Sequence, residues 1–226
     1  MALFPDATDP PRHPAYLQRP IPERIKDVRQ AIEAYADHQD LRDALALKNV
    51  KQDRLDALAD LLAPVVASIK IQIDAGVAQG RARTAQPVAV AEAERTYAVV
   101  TDIAADAFRQ NPAARTALAL GRRKTRQLDR FAQMRTLYDG AAGYDAELTD
   151  YGLTPANLAD GRTALDAAEK AVRDADRADA EAQDATDARD RLLVPLDAAF
   201  RDFLERAETA LRGRPQLLEL LGVRPV

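Results

Sequence analysis

The chain has 226 residues, with 47% hydrophobic, 30% charged and 5% aromatic side chains, 47 alanines, a formal charge of −4 and no cysteine. It is too apolar for a disordered chain and long enough for one domain or two small ones. The missing thiols exclude a disulfide framework, a cysteine nucleophile and cysteine-ligated zinc or iron–sulfur sites.

Residues 1–22 hold six of the 13 prolines, Pro5, Pro10, Pro11, Pro14, Pro20 and Pro22, which predicts an extended arm over residues 1–21. An arm with no core of its own becomes ordered by lying against something. Phe4, Pro5, Pro10, Pro11, Pro14, Tyr16 and Leu17 are therefore expected to reach a neighbouring subunit. Met1–Pro10 lacks a basic start followed by an apolar run, so no secretory signal is predicted and the cytoplasm is the default expectation.

Beyond the arm, apolar residues recur at helical spacing. Ile25, Val28, Ile32 and Tyr35 mark one helix. Leu55, Leu58, Leu62, Val65, Ile69 and Ile73 mark a second, and Val88, Tyr97, Val100, Ala104, Ala107 and Phe108 a third that ends before Asn111 and Pro112. Asp60, Pro64, Lys70, Gln72 and Asp74 interrupt the stretch from Leu58 to Val77, so it is expected to be amphipathic and to span no membrane. Kinks or breaks are expected at Pro64 and Pro195.

The second half repeats the first at an offset of 103 residues. Ile25 falls on Leu128, Val28 on Phe131, Tyr35 on Tyr138, Leu45 on Leu148, Leu62 on Leu165, Tyr97 on Phe200 and Leu118 on Leu221. Some apolar positions are lost in the second copy, where Ile32 meets Arg135, Leu58 meets Gly161 and Ile73 meets Asp176. The predicted organisation is an arm (1–21), one helical unit (22–121) and a second (122–226). Thr154 and Pro155 signal the start of a long helix from Ala156 to about Gln183. Beyond Val172 its apolar positions are Ala175, Ala178, Ala180, Ala182 and Ala185, a stripe that buries little area and invites support from a partner.

Chemistry-bearing residues are sparse. His13 and His38 match no metal or triad spacing, and His38 reads as an exposed helix-end residue. Asp184, Asp187 and Asp190 read as a solvated face, and Tyr35 with Tyr138 as core plugs. Gly76 and Gly80 are too isolated to cradle phosphate. Arg122, Arg123, Lys124, Arg126 and Arg130 form the densest basic cluster, which reads first as an exposed junction between the two units and second as an anion patch, since no aromatics are interleaved with it. A pI near 5.3 further disfavours nucleic acid as a partner.

The stretch Tyr151, Gly152, Leu153, Thr154, Pro155, followed by the alanine-rich helix, Arg214, Pro215 and Leu220, Leu221, Gly222, resembles uncharacterised bacterial helical-repeat proteins. The resemblance implies strings of helical hairpins closed by Pro and Leu-Gly segments, with no catalytic or ligand residues attached. The expected fold is an all-α, elongated bundle of two similar three-helix units with an extended arm. The expected function is a non-enzymatic structural subunit that self-associates, into a ring or filament through its arm, with no cofactor or metal. An adaptor whose groove takes a partner helix is the alternative.

Overall fold

The computed structural model describes residues 14–222, and among them there is no strand. The fold is all-α. In chain order the helices are α1 (Pro14–Leu17), α2 (Ile21–Asp37), α3 (Gln39–Ala46), α4 (Gln52–Ala107), α5 (Pro112–Ala117), α6 (Gln127–Ala141), α7 (Asp145–Asp150), α8 (Pro155–Ala210) and α9 (Pro215–Leu220), with a 3₁₀ turn, Ala142–Tyr144, ahead of α7.

The proline-rich start is not extended throughout: Pro14–Leu17 is helical, and Pro22 lies in the first turn of α2, where its missing N–H costs nothing. The two apolar runs, 55–73 and 88–107, lie on the single 56-residue helix α4, with Phe108 in the turn just past its end, and α8 is equally long. Gly76, Gly80 and Pro87 do not divide α4, and neither Pro64 nor Pro195 breaks its helix. All three prolines are exposed, so the carbonyl each one strips of its helical donor turns to water.

The same order of elements recurs 103 residues on. α4 and α8 are the same length, α5 and α9 are both six residues, and each of these pairs begins 103 positions apart. The turn ahead of each long helix carries a left-handed residue, Asn49 (φ 58°) and Gly152 (φ 87°), where Asn and Gly are the residues best suited to a positive φ. Thr154 then caps α8: its Oγ1 accepts from the Asn157 backbone N–H (3.3 Å) while the Asn157 side chain accepts from the Thr154 N–H (3.0 Å).

The compact units do not follow the expected boundary between 121 and 122. One comprises the described residues of Met1–Asp74 with Gln183–Val226, and the other Ala75–Ala182. The cause is the length of α4 and α8, each of which contributes one end to either unit. Each unit therefore contains a pair of shorter helices (α2 and α3, preceded by the single turn α1, in the first; α6 and α7 in the second), the start of the long helix that follows them, the end of the other long helix, and the six-residue helix after that.

In the first unit Val28, Leu41, Leu45, Leu55, Leu58, Leu62 and Val65 pack with Leu193, Leu196, Phe200, Phe203, Leu204 and Leu221. Arg54 pairs with Asp202 while Arg189 donates to Gln72 (2.8 Å), so α4 and α8 run antiparallel there. In the second unit Tyr97, Val100, Ala104, Phe108 and Leu118 pack with Phe131, Met134, Leu137, Tyr138, Leu148, Leu153, Leu158 and Leu165. Each fully buried large side chain excludes apolar surface worth about 1.5–3 kcal/mol.

The Leu58-to-Gly161 exchange is not a loss of apolar volume but its relocation. Where the first unit has Val28, Ala31, Ala34 and Leu58, the second has Phe131, Met134, Leu137 and Gly161. The bulk has moved from the long helix to α6, and the Tyr138 ring occupies the space against Gly161.

Candidate functional site

The most distinctive surface feature is a set of exposed aliphatic side chains on α4. Val66, Ile71 and Ile73 in the first unit are 39–61% exposed, and Val77, Val88 and Val99 in the second are 50–68% exposed. On α8 the positions 103 residues on are Glu169, Asp174, Asp176, Ala180, Arg191 and Asp202. At these positions α8 thus carries mainly ionic residues, some of them held in ion pairs, where α4 carries exposed aliphatic ones. A helix face turned only to water gains nothing from valine and isoleucine, which lower helix propensity.

Within the second unit this face forms a shallow groove lined by Val77, Gly80, Arg81, Thr84, Ala85, Val88, Ala89 and Glu92. A Cβ added at Gly76 or Gly80 would meet nothing within 4 Å. No packing inside the chain calls for these two helix-interior glycines, each of which costs about 1 kcal/mol relative to alanine.

By length and composition α4 is apolar enough to cross a membrane: its most apolar 18 residues have a mean hydropathy of 1.5, and only 11% of that window is buried. The interrupted run from Leu58 to Val77 was expected to fall short of that. Lys70 and Asp74 lie in the same stretch, both exposed, and an ionised side chain at a bilayer centre costs about 2.5–3.5 kcal/mol even on insertion scales. An aqueous protein surface accommodates both.

The arm residues Phe4, Pro5, Pro10 and Pro11, and His13, lie outside the described residues. Tyr16 does not reach outward. It is buried in the core of its own chain, its ring 5.2 Å from that of Phe200 and its Oη donating to Asp197 Oδ1 (3.2 Å). Arg24 forms an ion pair with the other Asp197 oxygen, and Arg201 Nε donates to the Asp197 carbonyl (3.3 Å). Burial raises the Asp197 carboxyl, against the lowering pull of Arg24 and Tyr16, and burial followed by the Asp197 charge pushes the Tyr16 phenol far up. This polar knot holds the start of the described chain to α8. Leu17 is 37% exposed.

The alanine stripe is largely covered by the chain itself: Ala175, Ala178 and Ala185 are buried. Between them Asp179 accepts from Gln79 (3.0 Å) and doubly from Arg83 (2.9 and 3.0 Å), which holds its carboxyl below the usual range.

The basic cluster is partly neutralised. Arg123 and Arg130 both hold Glu94 at 2.9 Å, while Arg122, Lys124 and Arg126 are exposed. Buried Gln133 organises the loop ahead of α6, accepting from the Lys124 N–H (3.1 Å) and donating to the Ala119 carbonyl (3.0 Å). His38 is exposed between α2 and α3, and Asp184, Asp187 and Asp190 are exposed on α8. Tyr35 and Tyr138 are both core residues. Among the described residues no group of three or more His, Asp or Glu side chains is gathered around a metal-sized space.

The sequence reading missed the α4 face because it scored Val66, Ile73, Val77 and Val88 as core candidates or passed over them. The signal was present: at an offset of 103 these positions face charged or small residues. Comparison of the chain with protein-family models, with curated proteins and with solved structures finds no match.

Proposed function

We propose that the protein is a non-enzymatic structural subunit that self-associates, and that the outward face of α4 is its contact surface. The observation that supports this is the contrast between the exposed Val66, Ile71, Ile73, Val77, Val88 and Val99 and their mainly ionic counterparts on α8. Exposed aliphatic side chains of this kind mark interaction sites. Tyr16 is committed to its own chain, so it supplies no contact to a neighbour. A like-to-like contact closes at two copies, and a ring or filament needs a second, head-to-tail contact, for which the arm residues before Tyr16 are the expected carrier.

The test is the native mass by sedimentation across a wide concentration range. A mass that rises with concentration supports self-association, and a monomer throughout overturns it. The same bare face favours the adaptor as the second reading, since a helix from another protein would cover it equally well. That reading requires the monomer.

A further inference from the structure

Resting on that proposal, we infer that the groove from Val77 to Glu92 on α4 takes the same groove of a second copy, running antiparallel, with Arg81 of each chain meeting Glu92 of the other. The eight lining residues pair off about a two-fold axis between Thr84 and Ala85: Val77 with Glu92, Gly80 with Ala89, Arg81 with Val88, and Thr84 with Ala85. Reversing the helix on itself thus sets small residues against small ones near the axis, where two backbones must approach closely, and lays the arginine and glutamate stems over the valines.

Charge fixes the direction. The groove carries its cation, Arg81, toward one end and its anion, Glu92, at the other. In the antiparallel arrangement each Arg81 lies opposite the partner subunit's Val88, one helical turn from the partner subunit's Glu92. A parallel copy would set Arg81 beside Arg81 and Glu92 beside Glu92. Among the described residues Arg81 has no ion pair, and Glu92 has only the exposed pair with Arg95 three residues on, which a neighbour can displace cheaply. Gly80 gives the close approach its room, because a Cβ there would meet nothing of its own chain.

The contact is about 24 Å long at a rise of about 1.5 Å per residue, which places it among the small, exchanging interfaces below about 1,200 Å². Its affinity therefore depends on the few apolar side chains at its centre.

The chain has no cysteine, so Thr84→Cys introduces a single thiol beside the proposed axis. Mild oxidation of full-length Thr84→Cys should give a covalent dimer, whereas Ala113→Cys, exposed on α5 in the same unit, should not. Val88→Lys should weaken self-association about tenfold or more as read by sedimentation. Arg81→Glu and Glu92→Arg should each weaken it, and the double exchange should restore it. If the wild-type chain dimerises but Thr84→Cys fails to cross-link and Val88→Lys keeps the wild-type mass, this placement is overturned and self-association through another surface stands. A wild-type chain that stays monomeric overturns both.

Discussion

Gly161 offers the sharpest test of how the second core is packed. An exposed helix-interior glycine replaced by alanine ordinarily gains about 0.4–1 kcal/mol, because alanine loses less conformational freedom on folding. At Gly161 the added Cβ would lie 2.4 Å from Tyr138 Cε1 and 2.6 Å from both Cζ and Oη. That ring is buried: Tyr138 is 2% exposed, and its edge meets Tyr97 at 6.5 Å between centroids. Overpacking of this kind costs about 1–3 kcal/mol, so Gly161→Ala should lose the usual gain and be destabilising by up to about 2 kcal/mol once the propensity gain is subtracted. Gly76→Ala, with open space around it, should be stabilising by up to about 1 kcal/mol. Urea unfolding at constant slope reads both. Adding Tyr138→Leu removes the clash, so the double variant should be less destabilised than the sum of the singles by about 1 kcal/mol or more. A Gly161→Ala protein more stable than wild type, or strict additivity with Tyr138→Leu, would refute the packing described for this unit.

Three further outcomes are expected. Tyr16→Ala should cost about 3–5 kcal/mol, as aromatic truncations in a core do, whereas Tyr16→Phe should cost only about 0.5–1.5 kcal/mol for the hydrogen bond to Asp197; equal unfolding midpoints for the two would show that the ring is not anchored. Because the folded Asp197 carboxyl is raised above its ordinary value of 3.8, the folded chain holds that proton more tightly, and the contribution is present at low pH and lost as pH rises through the folded value. The stability of wild type relative to Asp197→Asn should therefore fall as pH climbs above 3.8, and a difference that rises over that window would contradict the burial of this group. Gln133→Ala should cost about 1–3 kcal/mol by leaving the Lys124 N–H and Ala119 carbonyl without partners, with faster amide exchange at Lys124 as its local signature.

Much of this fold is written at the level of residue pairs. Leu45 with Leu148, Leu62 with Leu165 and Tyr97 with Phe200 are all buried at matching places, so the offset of 103 is legible without coordinates. The continuity of α4 is not. Gly76, Gly80 and Pro87 are local breakers whose cost of a few kcal/mol is outweighed by packing at both ends of a long helix, a term that local propensity does not contain. The partition into units is likewise invisible to a reading along the chain, because it depends on which ends of two long helices meet. Tyr16 was misplaced for a related reason: proline content describes a backbone and says nothing of a partner 181 positions away. The exposure of these α4 residues was recoverable, since Val88 against Arg191 and Ile73 against Asp176 distinguish an exposed position from a core one once the two copies are compared position by position.

The interleaving of the chain also sets an order in time. Ala75–Ala182 is a single uninterrupted stretch, and everything its core requires has been synthesised once Ala182 is in place. The other core needs Tyr16 to find Phe200 and Asp197, so its first helices are completed only by residues made 181 positions later. Separating the chain at its midpoint would yield two half-sites for each core instead of two domains, and mixing those fragments should bring both cores together.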